Sequence, residues 1–202
     1  EISECLVGSE MCIRDRFKRL LVARFNLLPE LRRRIGYEIN MAKAGKEARI
    51  ILKMNALQDP AMIDELYKAS EAGVKIDLIV RGICCLIPNQ PYSRNIRITR
   101  IVDSFLEHAR VWYFHHGGKP LLFMGSPDWM RRNLYRRIEA VTPILDEDLK
   151  QQLIDMLVIQ LKDNRKAGWV DENLNNVLKR NPKEEPVRAQ YAFYEYLKGK
   201  NK

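Results

Sequence analysis

No stretch of this sequence runs the roughly 18 to 20 residues without a charge that a membrane-spanning helix requires, because Arg, Lys, Asp or Glu interrupts every apolar run. No membrane span is therefore expected, and the chain reads as soluble. The four cysteines, Cys5, Cys12, Cys84 and Cys85, form no CxxC pair and have no histidine at zinc-finger spacing. Reduced thiols in a cytoplasmic protein are the expectation, with vicinal Cys84 and Cys85 as two small hydrophobes after a strand. A glycine-rich phosphate loop of the P-loop type is also missing, so any nucleotide has to be held by another device. Histidine is scarce: His108, His115 and His116 are the three.

The residues present fit a folded domain. Of the 202 residues, 46% are apolar, enough to build a core. The 35 basic and 26 acidic side chains leave a formal charge of +9, which predicts attraction to polyanions such as nucleic acid, nucleotide, polyphosphate or an anionic membrane surface. Charge alone does not choose among them.

Residues Glu1 to Arg16 (EISECLVGSEMCIRDR) lack a periodicity that joins naturally to the next segment of chain and look like adaptor read-through. They are expected to be a non-native leader, 1–16, ahead of one domain over 17–202. From Pro29 to Ala44, apolar Leu31, Ile35, Ile39 and Ala42 recur at helical spacing, with Gly45 placed to end the helix. Arg49 to Met54 and Lys75 to Val80 are buried-strand runs around a helix at Met62 to Ala72, a unit whose natural solution is parallel pairing. A short strand near Ile96 to Ile98 and a helical turn leading to Leu106 come next. Arg110 to Phe114 and Leu121 to Met124 read as a hairpin, and Arg137 to Val141 as a further strand. Asp146 is the expected N-cap of a helix through Leu161, Lys179 to Pro186 a surface loop, and Val187 to Leu197 a last helix. The predicted fold class is α/β, a mixed sheet flanked by helices.

Ligands of open α/β sheets sit beyond the carboxyl ends of strands, and Arg81 comes directly after the strand KIDLIV. Three segments combine unusual polar residues with strand ends and make one candidate site: Val80 to Asn89, Phe105 to Arg110, and Gly125 to Asn133. An arginine followed by Gly82 can offer its guanidinium to a phosphate while the backbone approaches closely; a surface ion pair is the competing account of Arg81. His108, flanked by Glu107 and Arg110, suits a general acid or base or a donor to a phosphoryl oxygen, against an ordinary structural histidine. Arg110, Asp128 and Asn133 are secondary candidates. Lys119, Arg131, Arg132, Arg136 and Arg137 are read as a solvated basic face, and Trp112, Tyr113 and Trp129 as core or pocket walls. No metal ligands are assigned.

Taken together, the segments KMNALQDPAMIDELYKASEAGVKIDLIVRGICCLIPN, IVDSFLEHARVWYF and GSPDWMRRNLYRRIEAVTPILD resemble the last domain of polyphosphate kinases of the long-chain-synthesising class, over about Leu20 to Leu197. The resemblance implies a phospholipase D-like fold and reversible transfer of the ATP γ-phosphate to polyphosphate through a phosphohistidine, with Mg2+. It implies that Arg81 and His108 contact ATP phosphates, while the phospho-accepting histidine and the Mg2+ ligands belong to other domains. Expected partners are ATP/ADP, polyphosphate, the remaining domains and further copies of the enzyme, without specific nucleic acid, in a cytoplasmic and potentially membrane-peripheral setting. Two departures from the family pattern stand out: Pro127 where an alanine is usual, and Ser104 where an arginine is expected before FLEH. The phospholipase D superfamily places a lysine two residues after its histidine and an aspartate further on, and those positions hold Arg110 and His115 here. Two other functions stay open: a non-catalytic polyanion-binding module and a phospholipase D-like phosphodiesterase.

Overall fold

The structure, a computed structural model, describes residue 17 and residues 19–180 and 183–200. The expected non-native leader lies outside the described residues. A sheet of nine described strands runs in the order β1-β7-β6-β5-β2-β3-β4-β8-β9. In chain order these are β1 (Leu21–Val22), β2 (Arg49–Met54), β3 (Lys75–Val80), β4 (Ile96–Ile101), β5 (Val111–Phe114), β6 (Leu121–Gly125), β7 (Ala140–Pro143), β8 (Ala167–Val170) and β9 (Asn176–Leu178). The helices are α1 (Leu27–Lys43), α2 (Pro60–Glu71), α3 (Arg131–Tyr135), α4 (Glu147–Lys162) and α5 (Ala189–Lys200). None of these helices is long and apolar enough to cross a membrane.

Local chemistry sets the main boundaries. Asp59 caps α2 by accepting the Met62 N–H at 3.0 Å, and Pro60 occupies the first turn, where its missing N–H costs nothing. Asp146 does the same for α4 through the Leu149 N–H at 2.9 Å, with Glu147 and Asp148 in the first turn and Lys162 in the last, matching the helix dipole. β2, α2 and β3 form the expected parallel unit, in a register that sets Ile50 opposite Ile76 and Met54 opposite Val80. β4 adds a third parallel strand, while β5 pairs with β2 antiparallel and β6 with β5 antiparallel.

Strand alternation divides the core in two. Ile50, Leu52, Leu78, Ile98, Trp112 and Phe123 pack on one face beneath Leu31 and Ile35 of α1 and Leu66 of α2. Ile51, Ile79, Val111 and Leu122 pack on the other beneath Met156 and Leu157 of α4 and Ala189 of α5. Glu38, fully buried in α1, anchors that helix by accepting the backbone N–H groups of His116 at 2.6 Å and Arg49 at 3.2 Å. Burial pushes its carboxyl above the usual range.

Several expectations are corrected. The segment 102–110 carries no helical turn; it is irregular with a bend at 104–105, because Phe105 is held by Gln190 of α5 and Asp103 by Arg188 just before that helix. The strand expected at Arg137 to Val141 is displaced to Ala140–Pro143, since the Arg136 and Arg137 N–H groups still bond to the Arg132 carbonyl as the chain leaves α3. The hairpin β8–β9, the two-residue β1 and the one-turn α3 had no counterpart in the sequence reading.

Two glycines separate packing from propensity. A Cβ on Gly125 would lie 2.5 Å from the Val141 side chain and 2.7 Å from the Ala140 carbonyl, whereas one on Gly36, inside α1, would meet nothing within 4 Å. Gly125→Ala should therefore cost about 1–3 kcal/mol, and Gly36→Ala should stabilise by about 0.5–1 kcal/mol. Urea denaturation of the two variants beside the wild type checks both signs.

Candidate functional site

Because β5 is antiparallel to its neighbours β2 and β6, the carboxyl ends of β2, β3 and β6 and the start of β5 meet at one edge of the sheet. The loops leaving that edge are stitched together by main-chain bonds around Leu57. Its N–H donates to the Ile83 carbonyl at 2.8 Å and its carbonyl accepts from Cys85 at 2.9 Å, while the Gln58 and Asp59 N–H groups donate to the Trp129 carbonyl. All three sequence segments singled out for chemistry therefore arrive at the same place.

Asp128, 7% exposed, is the junction. Its Oδ1 accepts the Asn55 N–H at 2.7 Å, the Ala56 N–H at 3.2 Å and the Asn55 side-chain amide at 3.3 Å. Arg110 closes on it with two parallel bonds, Nε to Oδ1 at 3.2 Å and Nη2 to Oδ2 at 3.0 Å, the fork geometry that arginine and carboxylate share. Burial works to raise the Asp128 carboxyl, yet Arg110 and the Asn55 and Ala56 N–H groups outweigh it and hold it below the usual range. The remaining amine of Arg110, Nη1, lies 3.2 Å from both His108 Nδ1 and the His108 carbonyl. Arginine has no acceptor, so Nδ1 accepts and the neutral ring carries its proton on Nε2. On the other side, Asn55 Oδ1 accepts from Arg81 Nε at 3.1 Å. One hydrogen-bonded chain thus runs Arg81, Asn55, Asp128, Arg110, His108.

Gly82 serves a different purpose from the expected one. Its N–H donates to the Asn55 carbonyl at 2.8 Å, and a Cβ would stand 2.9 Å from that oxygen, so the close approach is to the β2 loop. Asn133 is buried in α3 with its Oδ1 unpartnered, and no hydrogen bond joins it to the chain. Arg131, Arg132, Arg136 and Arg137 are exposed, in keeping with a solvated face. Trp112 and Trp129 are core, edge to face at 5.8 Å. Cys84 is buried, which lifts its thiol to about 11, and Cys85 is exposed.

A second polar layer lies under the first and was missed from sequence. Lys53, 3% exposed near the end of β2, donates to Glu107 at 2.8 Å. Gln160 of α4 and Gln190 of α5 donate to the same carboxylate at 2.9 and 3.1 Å. Burial lowers the Lys53 ammonium against the pull of Glu107. It works to raise Glu107, but Lys53 and the two amides prevail and hold that carboxyl below its ordinary value. Gln190 also grips Phe105 by both backbone groups, accepting its N–H at 2.9 Å and donating to its carbonyl at 2.8 Å. A lysine inside an apolar strand, on the inward parity of Arg49 and Ile51, was the available signal. Asn55 could have been found by the strand-end rule that found Arg81.

These carboxylates do not suit a divalent cation. Asp128 is occupied by Arg110 and main-chain N–H groups, Glu107 by Lys53 and two amides, and among the described residues no group of three or more His, Cys, Asp or Glu could hold a metal ion. The Mg2+ that the resemblance implies has no fit in this constellation.

The Asp128 pair sets a pH dependence. A carboxyl held below its unfolded value of about 3.9 contributes stability that is present above that value and is lost as pH falls through the folded one. Asp128→Asn should cost about 3 kcal/mol at pH 7 by leaving Arg110 uncompensated. The gap from wild type should narrow at pH 3, below the unfolded value, because protonation of this carboxyl in the unfolded wild-type chain removes part of the stability it contributes. Urea denaturation at the two pH values measures it.

Residues 20–190 match the family described as Polyphosphate kinase C-terminal domain 2. A polyphosphate kinase of Vibrio cholerae is 46% identical over 188 residues, covering 93% of this chain and 27% of that protein. One of Escherichia coli is 43% identical over 183 residues, covering 90% and 27%. The crystal structure of the polyphosphate kinase of Porphyromonas gingivalis superposes with a TM-score of 0.91 at 58% identity, over 92% of this chain and 28% of that one. The chain spans about a quarter of the length of the relatives it matches. With both sequence and fold in agreement, the chain belongs to the polyphosphate kinase family, as its C-terminal domain 2.

Proposed function

We propose that this chain forms the phosphate-holding part of an enzyme that reversibly transfers the γ-phosphate of ATP to a growing polyphosphate chain. The observation that carries the reading is the single hydrogen-bonded chain from Arg81 to His108. It commits Arg81 Nε to Asn55 and His108 Nδ1 to Arg110, so that the Nη groups of Arg81 and the Nε2–H of His108 are the donors left for a ligand. In this reading both bond to oxygens of the transferring phosphoryl group. Arg110, whose donors are engaged by Asp128 and His108, positions the imidazole, and Asn55 positions Arg81. Phosphoryl transfer asks little covalent chemistry of such groups; it needs placement and neutralisation of the charge spread over the equatorial oxygens.

The nucleophile in this reading is a histidine contributed by another part of the parent enzyme, which carries the phosphoryl group between ATP and polyphosphate. The exposed apolar side chains of Ile83, Phe105 and Leu106, close along the chain to Arg81 and His108, favour a covering surface from those remaining domains. A phosphodiesterase has less support. Arg110, where the superfamily has lysine, is bonded to Asp128 and His108, and His115 turns to Tyr113 at 3.3 Å and Glu47 at 3.8 Å.

Calorimetric titration of ATP into this chain tests the reading. Losing the guanidinium should raise Kd about tenfold for Arg81→Ala, and losing the imidazole donor about fivefold for His108→Ala, with part of the affinity surviving moderate salt. Unchanged affinity in both variants would contradict it.

A further inference from the structure

Four cations from three separate stretches of chain line one pocket of about 370 Å3: Arg165 and Lys166 after α4, Arg180 after β9, and Arg188 before α5. Among the described residues no acidic side chain lines it. The backbone that presents them is fixed from within. Asp163, fully buried, accepts the N–H groups of Arg165 at 2.9 Å, Lys166 at 2.7 Å and Ala167 at 2.9 Å on Oδ1, and that of Ala189 at 2.7 Å on Oδ2. Asn164 joins the two strands of this turn by bonding the Val187 carbonyl at 3.0 Å and the Val187 N–H at 2.8 Å. The Asp163 carboxylate is therefore taken up by main chain, and Asp103 is the carboxylate beside Arg188 and Lys166. Among the described residues no ion pair joins Arg165, Lys166 or Arg180 to a carboxylate, while Arg188 pairs with Asp103 at 2.6 Å.

Convergent like charges repel, and an anion with several charges relieves that repulsion better than a single carboxylate can. Arginine forks suit phosphate oxygens in particular. Arg188 also donates to the Ser104 hydroxyl at 2.8 Å, so the pocket adjoins the segment that runs on to His108. We propose that this pocket is a second subsite, distinct from Arg81 and His108, that seats internal phosphates of an inorganic polyphosphate chain. Its binding of a polyanion rests on the pocket; the choice of polyphosphate rests on the function proposed above.

The test is titration of this chain with long-chain polyphosphate, using a triple variant Arg165→Glu, Lys166→Glu, Arg180→Glu. The control, Lys43→Glu, Lys46→Glu, Lys75→Glu, makes the same change of net charge at exposed positions elsewhere. Arg188 is left in place because it pairs with Asp103. The pocket variant should bind about tenfold or more weakly and show a shallower salt dependence, with the control close to wild type. Circular dichroism checks folding, and a triple glutamine variant replaces the glutamates should they prevent it. Equal losses in pocket and control variants, or no loss in the pocket variant, would overturn the subsite. A single-stranded RNA of matched charge that binds as tightly as polyphosphate and is lost equally would overturn the choice of ligand. If Arg81→Ala and His108→Ala both leave ATP binding intact while the pocket variant loses polyphosphate, the function proposed above fails and the pocket stands as a polyanion site.

Discussion

The carboxylate of Asp128 is the acceptor on which the site end of the sheet depends. It takes N–H groups from the β2 loop and a bidentate guanidinium from the segment before β5, while its own backbone sits in the β6 loop. A charge this far from water is costly alone and is tolerated because nearly every lone pair is used. That saturation is also what makes the arrangement specific. Arg110 can satisfy Asp128 only from one position, and from that position its last amine meets His108.

Beneath it, the Lys53 and Glu107 pair ties the same segment to the opposite helical layer. Glu107 receives Lys53 from the sheet, Gln160 from α4 and Gln190 from α5, so a short extended stretch is held from three directions without secondary structure of its own. Such buried polar networks fix geometry more than they add net stability. His108 is exposed, yet the residues on either side of it are anchored, Glu107 downward and Arg110 sideways. Held in this way, an imidazole loses little freedom when a ligand arrives.

Much of this was legible because it is local. Asp59 with Pro60, Asp146 with its acidic first turn, and the β-branched runs RIILKM and KIDLIV each declare their structure within a few residues. The strand-end rule found Arg81, and the scarcity of histidine drew attention to His108. The features that escaped are non-local. The stretch 102–110 is shaped by Arg188 and Gln190, more than eighty positions away, which no periodicity announces. Lys53 hid inside an apolar run because its partner lies 54 residues on. The β8–β9 hairpin is short and its outer strand fully exposed, so it has no alternating pattern to read. The cationic pocket likewise exists only after three stretches of chain have folded together.

The most direct test of the account is the tautomeric state of His108, read by nitrogen NMR of the histidine rings in the wild type and in Asp128→Asn. If Asp128 positions the imidazole through Arg110, the neutral wild-type ring should carry its proton on Nε2, and the variant should lose that preference while remaining folded. A mixed or Nδ1-protonated ring, the same in both proteins, would contradict it.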